Sequence, residues 1–182
     1  MFIIGPDTDY ARERKSAYSM NQIERLYMKM VEYYASDPRR IQHFVKVHSF
    51  ARLIGQGEGI GEEKLFILEA AALVHDIGIK AAEAKYDNCS GRLQEEEGPA
   101  LAREMLTELG FDAGVIDRVT YLVGHHHTYT NVDGIDYRIL LEADFLVNLY
   151  EENSQKEAVW AAYEHIFETE TGKWLCQTMF EV

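Results

Sequence analysis

At 182 residues the chain is long enough for one domain that buries about two thirds of the surface its unfolded form exposes, so no disulfide framework is needed. Acidic residues outnumber basic ones by 31 to 18, a formal net charge of −13, and no Lys/Arg-rich run breaks the pattern. That excludes a protein gripping nucleic-acid phosphates through a broad basic surface, while a small anionic substrate held by a metal or a few local cations stays compatible. Cys89 and Cys176 form no CxxC pair, MFIIGPDTDYARERK is too poor in apolar residues for a signal-peptide core, and no apolar run reaches the ~18 residues of a membrane span. The expectation is a reduced, cytoplasmic protein with no nucleic-acid or membrane partner.

Residues 1–18 show no sustained period and read as an N-terminal arm, leaving residues 19–182 as a single domain. Ser19 with Gln22 forms an SxxQ capping box that opens a first helix through IERLYMKMVEYYA. Asp37-Pro38 restarts the chain, Asp as cap and Pro in the first turn, for a helix RRIQHFVKVHSFARLIGQ that breaks at GQGEGIG. A third helix runs from Glu62 to Ile77; its C-terminal half is apolar nearly all round, as in a central helix covered on several sides, and Gly78 stops it.

KAAEAKYDNCSGRLQEEEG then reads as a long irregular connection, with a length that suits a lid. Pro99 is expected to start the helix PALAREMLTELG, which Gly110 ends, and residues 113–123 form the next. The loop GHHHTYTNVDGID leads to the helix YRILLEADFLVNLYEE. Ser154 with Glu157 is a second capping box before KEAVWAAYEHIFE, and the amphipathic tail KWLCQTMFEV packs back. With no two-residue alternation, no internal repeat and no low-complexity segment, the fold class is all-α.

Polar residues interrupt this apolar pattern at particular places. Stepping 100° per residue along the second helix puts His43 amid Val47, Phe50, Ala51 and Ile54, and leaves His48 at the edge of the stripe. The same exercise puts Asp144 amid Tyr137, Leu140, Leu141 and Val147, where an ionised carboxylate costs several kcal/mol unless satisfied. His75 and Asp76 stand side by side at the end of the most apolar helix. Taken singly, a core histidine is more often a hydrogen-bonded packing residue and a buried acid more often half of an ion pair. Together, two His and two Asp are the donor set of a divalent transition metal, Mn, Fe, Co, Ni or Zn, and a poor set for Ca or Mg.

The order of these residues, His43, His75-Asp76 and Asp144 in HFVKVHSFA, AAALVHDIG and ILLEADFL, resembles the HD-domain superfamily of metal-dependent phosphohydrolases over roughly residues 37–150. The resemblance implies a helical HD-type bundle in which these four residues hold a metal. Some members hold a second, using a histidine in the middle connection and others after the next helix. Here His125 and His126 of GHHHTY stand for the later ligands, His127 being the least favoured of the three. Glu97 stands where the middle histidine is expected, either as a carboxylate ligand or as a plain acid at a helix N-terminus, so the number of metals, one or two, is open. The chain lacks the HHE and GYP pattern of cyclic di-GMP hydrolases and has no room for an alarmone synthetase module.

The implied activity is hydrolysis of a phosphate ester of a nucleotide or another small molecule by metal-activated water. Asp76 would also orient the water or take its proton, and Lys80, Arg39 and Arg40 would contact the leaving group and the phosphate, Lys80 joining Asp76 as a catalytic residue. Two alternatives differ in class: an HD-type dinuclear iron oxygenase, and a non-catalytic metal-binding regulatory module. An acidic surface permits a homodimer without requiring one.

Overall fold

The computed structural model describes residues 20–182, so the expected arm over residues 1–18 and Ser19 lie outside the described residues. Among the described residues the long regular elements are all α-helices and there is no strand, as an all-α pattern requires. Helix α1 (Gln22–Tyr33) opens on a reciprocal box made by Asn21 and Glu24, each side chain bonding the other's backbone N–H at 2.8–2.9 Å. The Ser19–Gln22 box is therefore corrected: Gln22 is the first helical residue, and its amide donates to the Gly110 carbonyl at 2.7 Å. Helix α2 (Pro38–Gly57) starts as expected, with Asp37 accepting from the Arg40 N–H.

Helix α3 (Glu62–Val74) is the post of the fold. From Leu68 to Val74 every residue is buried, and α1, α2, α6 (Ala113–Val123) and α7 (Ile135–Glu151) all pack against it. Three consecutive alanines, Ala70 to Ala72, let these neighbours approach closely. The helix stops three residues before the expected Ile77, and His75–Gly78 form a turn instead. Two tyrosines at the C-terminal end of α1 clamp that turn: Tyr34, its cap residue, donates to the Asp76 carbonyl at 2.7 Å and Tyr33 to the Ile77 carbonyl at 3.0 Å.

The connection expected to be irregular is helical. It consists of α4 (Ile79–Tyr86), a break at residues 87–90, and α5 (Gly91–Glu108), which runs through Pro99 instead of starting there. GRLQEEEG carries no apolar stripe for a period to reveal, and what holds it is close backbone packing. A Cβ on Gly78 would meet the Gln94 carbonyl oxygen at 2.6 Å and the Gly98 nitrogen at 2.9 Å, and one on Gly98 would meet Val123 at 2.7 Å. The turn after α3 thus lies directly on α5, and α5 on α6. The stretch whose length suits a lid is thus helical over most of residues 80–98, with its second helix in contact with the turn after α3.

Helix α8 (Lys156–His165) and helix α9 (Glu170–Phe180) complete the chain, α9 packing back on α7 as the amphipathic tail suggests. Ser154 does not cap α8. Asn153 takes a left-handed conformation and the Ser154 N–H bonds the Leu149 carbonyl, so this residue terminates α7, and Gln155 precedes α8 without a side-chain cap. Thr169 caps α9, its hydroxyl accepting from the Gly172 N–H, and the buried Glu142 carboxylate of α7 holds that cap by accepting from the Glu168 and Thr169 N–H groups and from the Thr169 hydroxyl.

The tight contact of the turn with α5 has a measurable cost. Gly78→Ala is expected to destabilise the protein by about 1–3 kcal/mol, because the atoms it meets are backbone and cannot rotate away. Gly114→Ala, in α6 with open space around its α-carbon, is expected to be neutral or to stabilise by up to about 1 kcal/mol. Denaturant unfolding of the two variants beside wild type checks both.

Candidate metal centre

His43 comes from the second turn of α2, His75 and Asp76 from the turn that ends α3, and Asp144 from the middle of α7. The four side chains meet. His43 Nε2 lies 3.3 Å from His75 Nε2, 3.2 Å from Asp144 Oδ1 and 3.4 Å from Asp76 Oδ2, and His75 Nε2 lies 3.6 Å from that Asp144 oxygen and 3.5 Å from that Asp76 oxygen. His75 is fully buried, and Asp144 and His43 are nearly so.

The hydrogen bonds on the far side of each ring decide what it offers the centre. His75 Nδ1 lies 2.9 Å from the Ala72 carbonyl, and His126 Nδ1 lies 2.7 Å from the Val123 carbonyl. His43 Nδ1 lies 3.1 Å from a Glu151 carboxylate oxygen. Carbonyls and carboxylates only accept, so each Nδ1 carries the hydrogen and each Nε2 of a neutral ring presents a lone pair inward. Asp144 Oδ1 and His126 Nε2 are buried with no hydrogen-bond partner. Orphaned acceptors converging in this way lack a positive charge, and the donor set fits a divalent transition metal.

Protons compete for the same lone pairs. Burial disfavours the imidazolium of His75, yet the negative charges of Asp76 and Asp144 raise its pKa to about 9. Burial likewise opposes ionising Asp76 and Asp144, but the surrounding imidazoles hold both carboxyls well below the usual carboxylate range.

A second group of donors adjoins the first. Asp76, His126 and His127 each offer an atom within 4.8 Å of the others, with Asp76 Oδ1 3.4 Å from His126 Nε2. Asp76 therefore turns one oxygen toward each group. His127, least favoured from sequence, is in this group: its ring rests on Gly91, where a Cβ would come within 2.6 Å, and Gln94 and Glu95 of α5 bond its Nε2 and its backbone N–H. Burial, helped by the neighbouring His126, lowers its pKa to about 4 and keeps it neutral.

Other sequence candidates fall elsewhere. His125 stacks on Tyr121 and bonds its carbonyl through Nδ1, outside both groups. Glu97 pairs with Lys85 at 2.7 Å and accepts from the Tyr86 hydroxyl, one turn along α5 from Gln94, which is buried beside His127. Gln94 escaped the sequence reading because an amide one turn earlier in a segment read as loop gave no signal. His48 pairs with Glu69, which also takes Arg52, beside a separate cavity of about 540 Å³.

A cavity of about 600 Å³ opens over the donors, with Arg39, Arg40, Asn148 and Glu151 among its walls. Arg40 is tied to Asp37 and Glu83, while Arg39 is exposed at the rim. Lys80 does not line the cavity. The first helical position of α4, Ile79, faces it, and the next residue is turned about 100° away, so Lys80 donates to the Tyr33 carbonyl at 2.6 Å and lies over the Tyr33 and Tyr34 rings.

No helix among the described residues is long and apolar enough to cross a membrane. No curated protein sequence matches the chain. The fold is similar to a crystal structure described as a predicted HD superfamily hydrolase from an uncultured Thermotogales bacterium, with a TM-score of 0.62 at 21% identity over 94% of this chain and 91% of the other. The family model for the HD domain matches residues 40–159, the stretch that carries every donor described above, and the chain belongs to the HD-domain family.

Proposed function

We propose that the protein is a metal-dependent phosphohydrolase, cleaving a phosphate ester of a nucleotide or another small molecule inside the 600 Å³ cavity. The observation that carries the reading is the convergence of His43, His75, Asp76 and Asp144 with an orphaned carboxylate oxygen among them. These residues would hold one cation, and Asp76, His126 and His127 a second. A bound divalent cation lowers the pKa of its water toward neutrality and neutralises charge on a phosphoryl oxygen.

The chain's own groups supply the rest. Asp76, part-exposed to the cavity and shared between the two donor groups, is the acid best situated to orient the attacking water and take its proton. Arg39, exposed at the rim, is the cation available to a phosphate; Arg40 already satisfies two carboxylates and serves to shape the wall. Lys80, engaged with α1, is dropped from the substrate contacts. The shared Asp76 also suits a dinuclear iron oxygenase, and the redox behaviour of bound iron separates the two readings.

Elemental analysis of protein purified without chelator tests the metal first. Two ions per chain are expected, with His43→Ala and Asp144→Ala losing metal. His127→Ala is expected to fall toward one ion, whereas Glu97→Ala and His125→Ala keep two; the reverse order would return the second site to the sequence expectation.

Activity against a panel of phosphate esters tests the chemistry. Asp76→Asn is expected to lower kcat by a factor on the order of 10² or more. Arg39→Ala is expected to raise KM by about tenfold with kcat little changed, the signature of a lost binding contact. No turnover of any ester by metal-loaded protein, beside dioxygen consumption, would replace hydrolase by oxygenase.

A further inference from the structure

Glu151 has no role in the reading above, yet it touches the centre from behind. It lies seven residues after Asp144 on α7, two helical turns and therefore on the same face. Asp144 reaches the Nε2 side of His43 at 3.2 Å and Glu151 reaches Nδ1 at 3.1 Å, so one helix holds both edges of one imidazole. The other Glu151 oxygen accepts from Lys46 at 2.6 Å, and Lys46 is three residues after His43 on α2, its ammonium 5.3 Å from the centre of the Tyr150 ring. The carboxylate is thereby charge-balanced where it meets the histidine.

The other rings are held differently. His75 and His126 donate Nδ1–H to backbone carbonyls, which are neutral acceptors. A carboxylate partner makes an imidazole more electron-rich and pins its ring orientation more firmly than a carbonyl does. His43 also stands at the cavity side of the cluster, where α2 and α7 meet and no turn of its own chain supplies a carbonyl.

We propose that Glu151 is the positioning residue of the centre: it locks the His43 ring with Nδ1–H outward and Nε2 toward the donors, and so sets how tightly the cation is bound. This rests on the metal-dependent reading. It assigns α7 two tasks, a donor in Asp144 and the support of another donor in Glu151.

The test is Co²⁺ titration by calorimetry of chelator-treated protein, with the visible spectrum of the loaded form, for wild type, Glu151→Ala, Glu151→Gln and Lys46→Met. Glu151→Ala is expected to bind the tightest Co²⁺ about 10- to 100-fold more weakly and to alter the d–d bands, with its thermal unfolding before metal addition close to wild type. Glu151→Gln keeps the length and an accepting oxygen, so it is expected to recover part of the affinity, and it carries the comparison if the alanine variant does not fold. Lys46→Met, which removes a half-exposed ion pair and leaves the carboxylate in place, is expected to stay within about threefold of wild type.

Wild-type affinity and spectrum in both Glu151 variants would overturn the proposal while leaving the metal reading intact. An equal loss in Lys46→Met and Glu151→Ala would also overturn it, because the ion pair and not the histidine contact would then carry the effect. A wild-type protein that takes up no Co²⁺ would overturn the metal reading itself, and the proposal with it.

Discussion

Lone pairs from His43, His75, Asp76 and Asp144 point at one place inside the protein, and no protein donor answers Asp144 Oδ1. Like partial charges a little over 3 Å apart in a poorly hydrated interior repel strongly, so the arrangement persists only because the surrounding fold over-determines it. α3 is that constraint: its last seven residues are buried against α1, α2, α6 and α7, and it delivers His75 and Asp76 at a fixed height. The tyrosine clamp on the following turn and the carbonyl behind His75 remove the remaining freedom. Burial that makes the acceptors costly is also what gives a cation there its hold, since water cannot screen it.

The electrostatics of the cavity follow from this centre. Its walls carry Asp37, Asp76, Glu83, Asp144, Glu151 and Glu152 against Arg39 and Arg40, in a chain whose formal charge is −13. Such a surface attracts divalent cations and repels a free phosphate. Loading the donors with cations would reverse the sign locally, so an anionic substrate would find the cavity attractive only where metal is already bound. Arg40 contributes little to that reversal because Asp37 and Glu83 neutralise it.

Helix α5 shows where sequence reasoning lost part of the site. GRLQEEEG has no apolar period, and Pro99 imitates a helix start, so the segment reads as loop and Glu97 stands out as its notable acid. In the folded chain the segment is helical, held by backbone contacts at Gly78 and Gly98, and turns Gln94, Glu95 and Gly91 toward His127. Glu97, one turn beyond Gln94, pairs with Lys85 instead. A one-turn error in register along a helix is enough to exchange an exposed ion pair for the wall of a site. Glu151 was missed for a related reason: at the polar end of α7 it looks like any solvated acid until α2 crosses beside it.

The sequence by itself determined the all-α class, the buried character of α3, and the unusual placement of His43, His75, Asp76 and Asp144 on core-facing positions. These properties are local: a 3.6-residue period, a cap or a charge on an apolar face is written in neighbouring residues. Tertiary structure decided which of three consecutive histidines turns inward, where α3 ends, that α5 extends through Pro99, and that Lys80 serves α1 and not the cavity. Those outcomes depend on close approaches between residues far apart in the chain, Gly78 on Gly98, Gly91 on His127 and Glu151 on His43, and no local pattern encodes a contact whose partner lies on another helix.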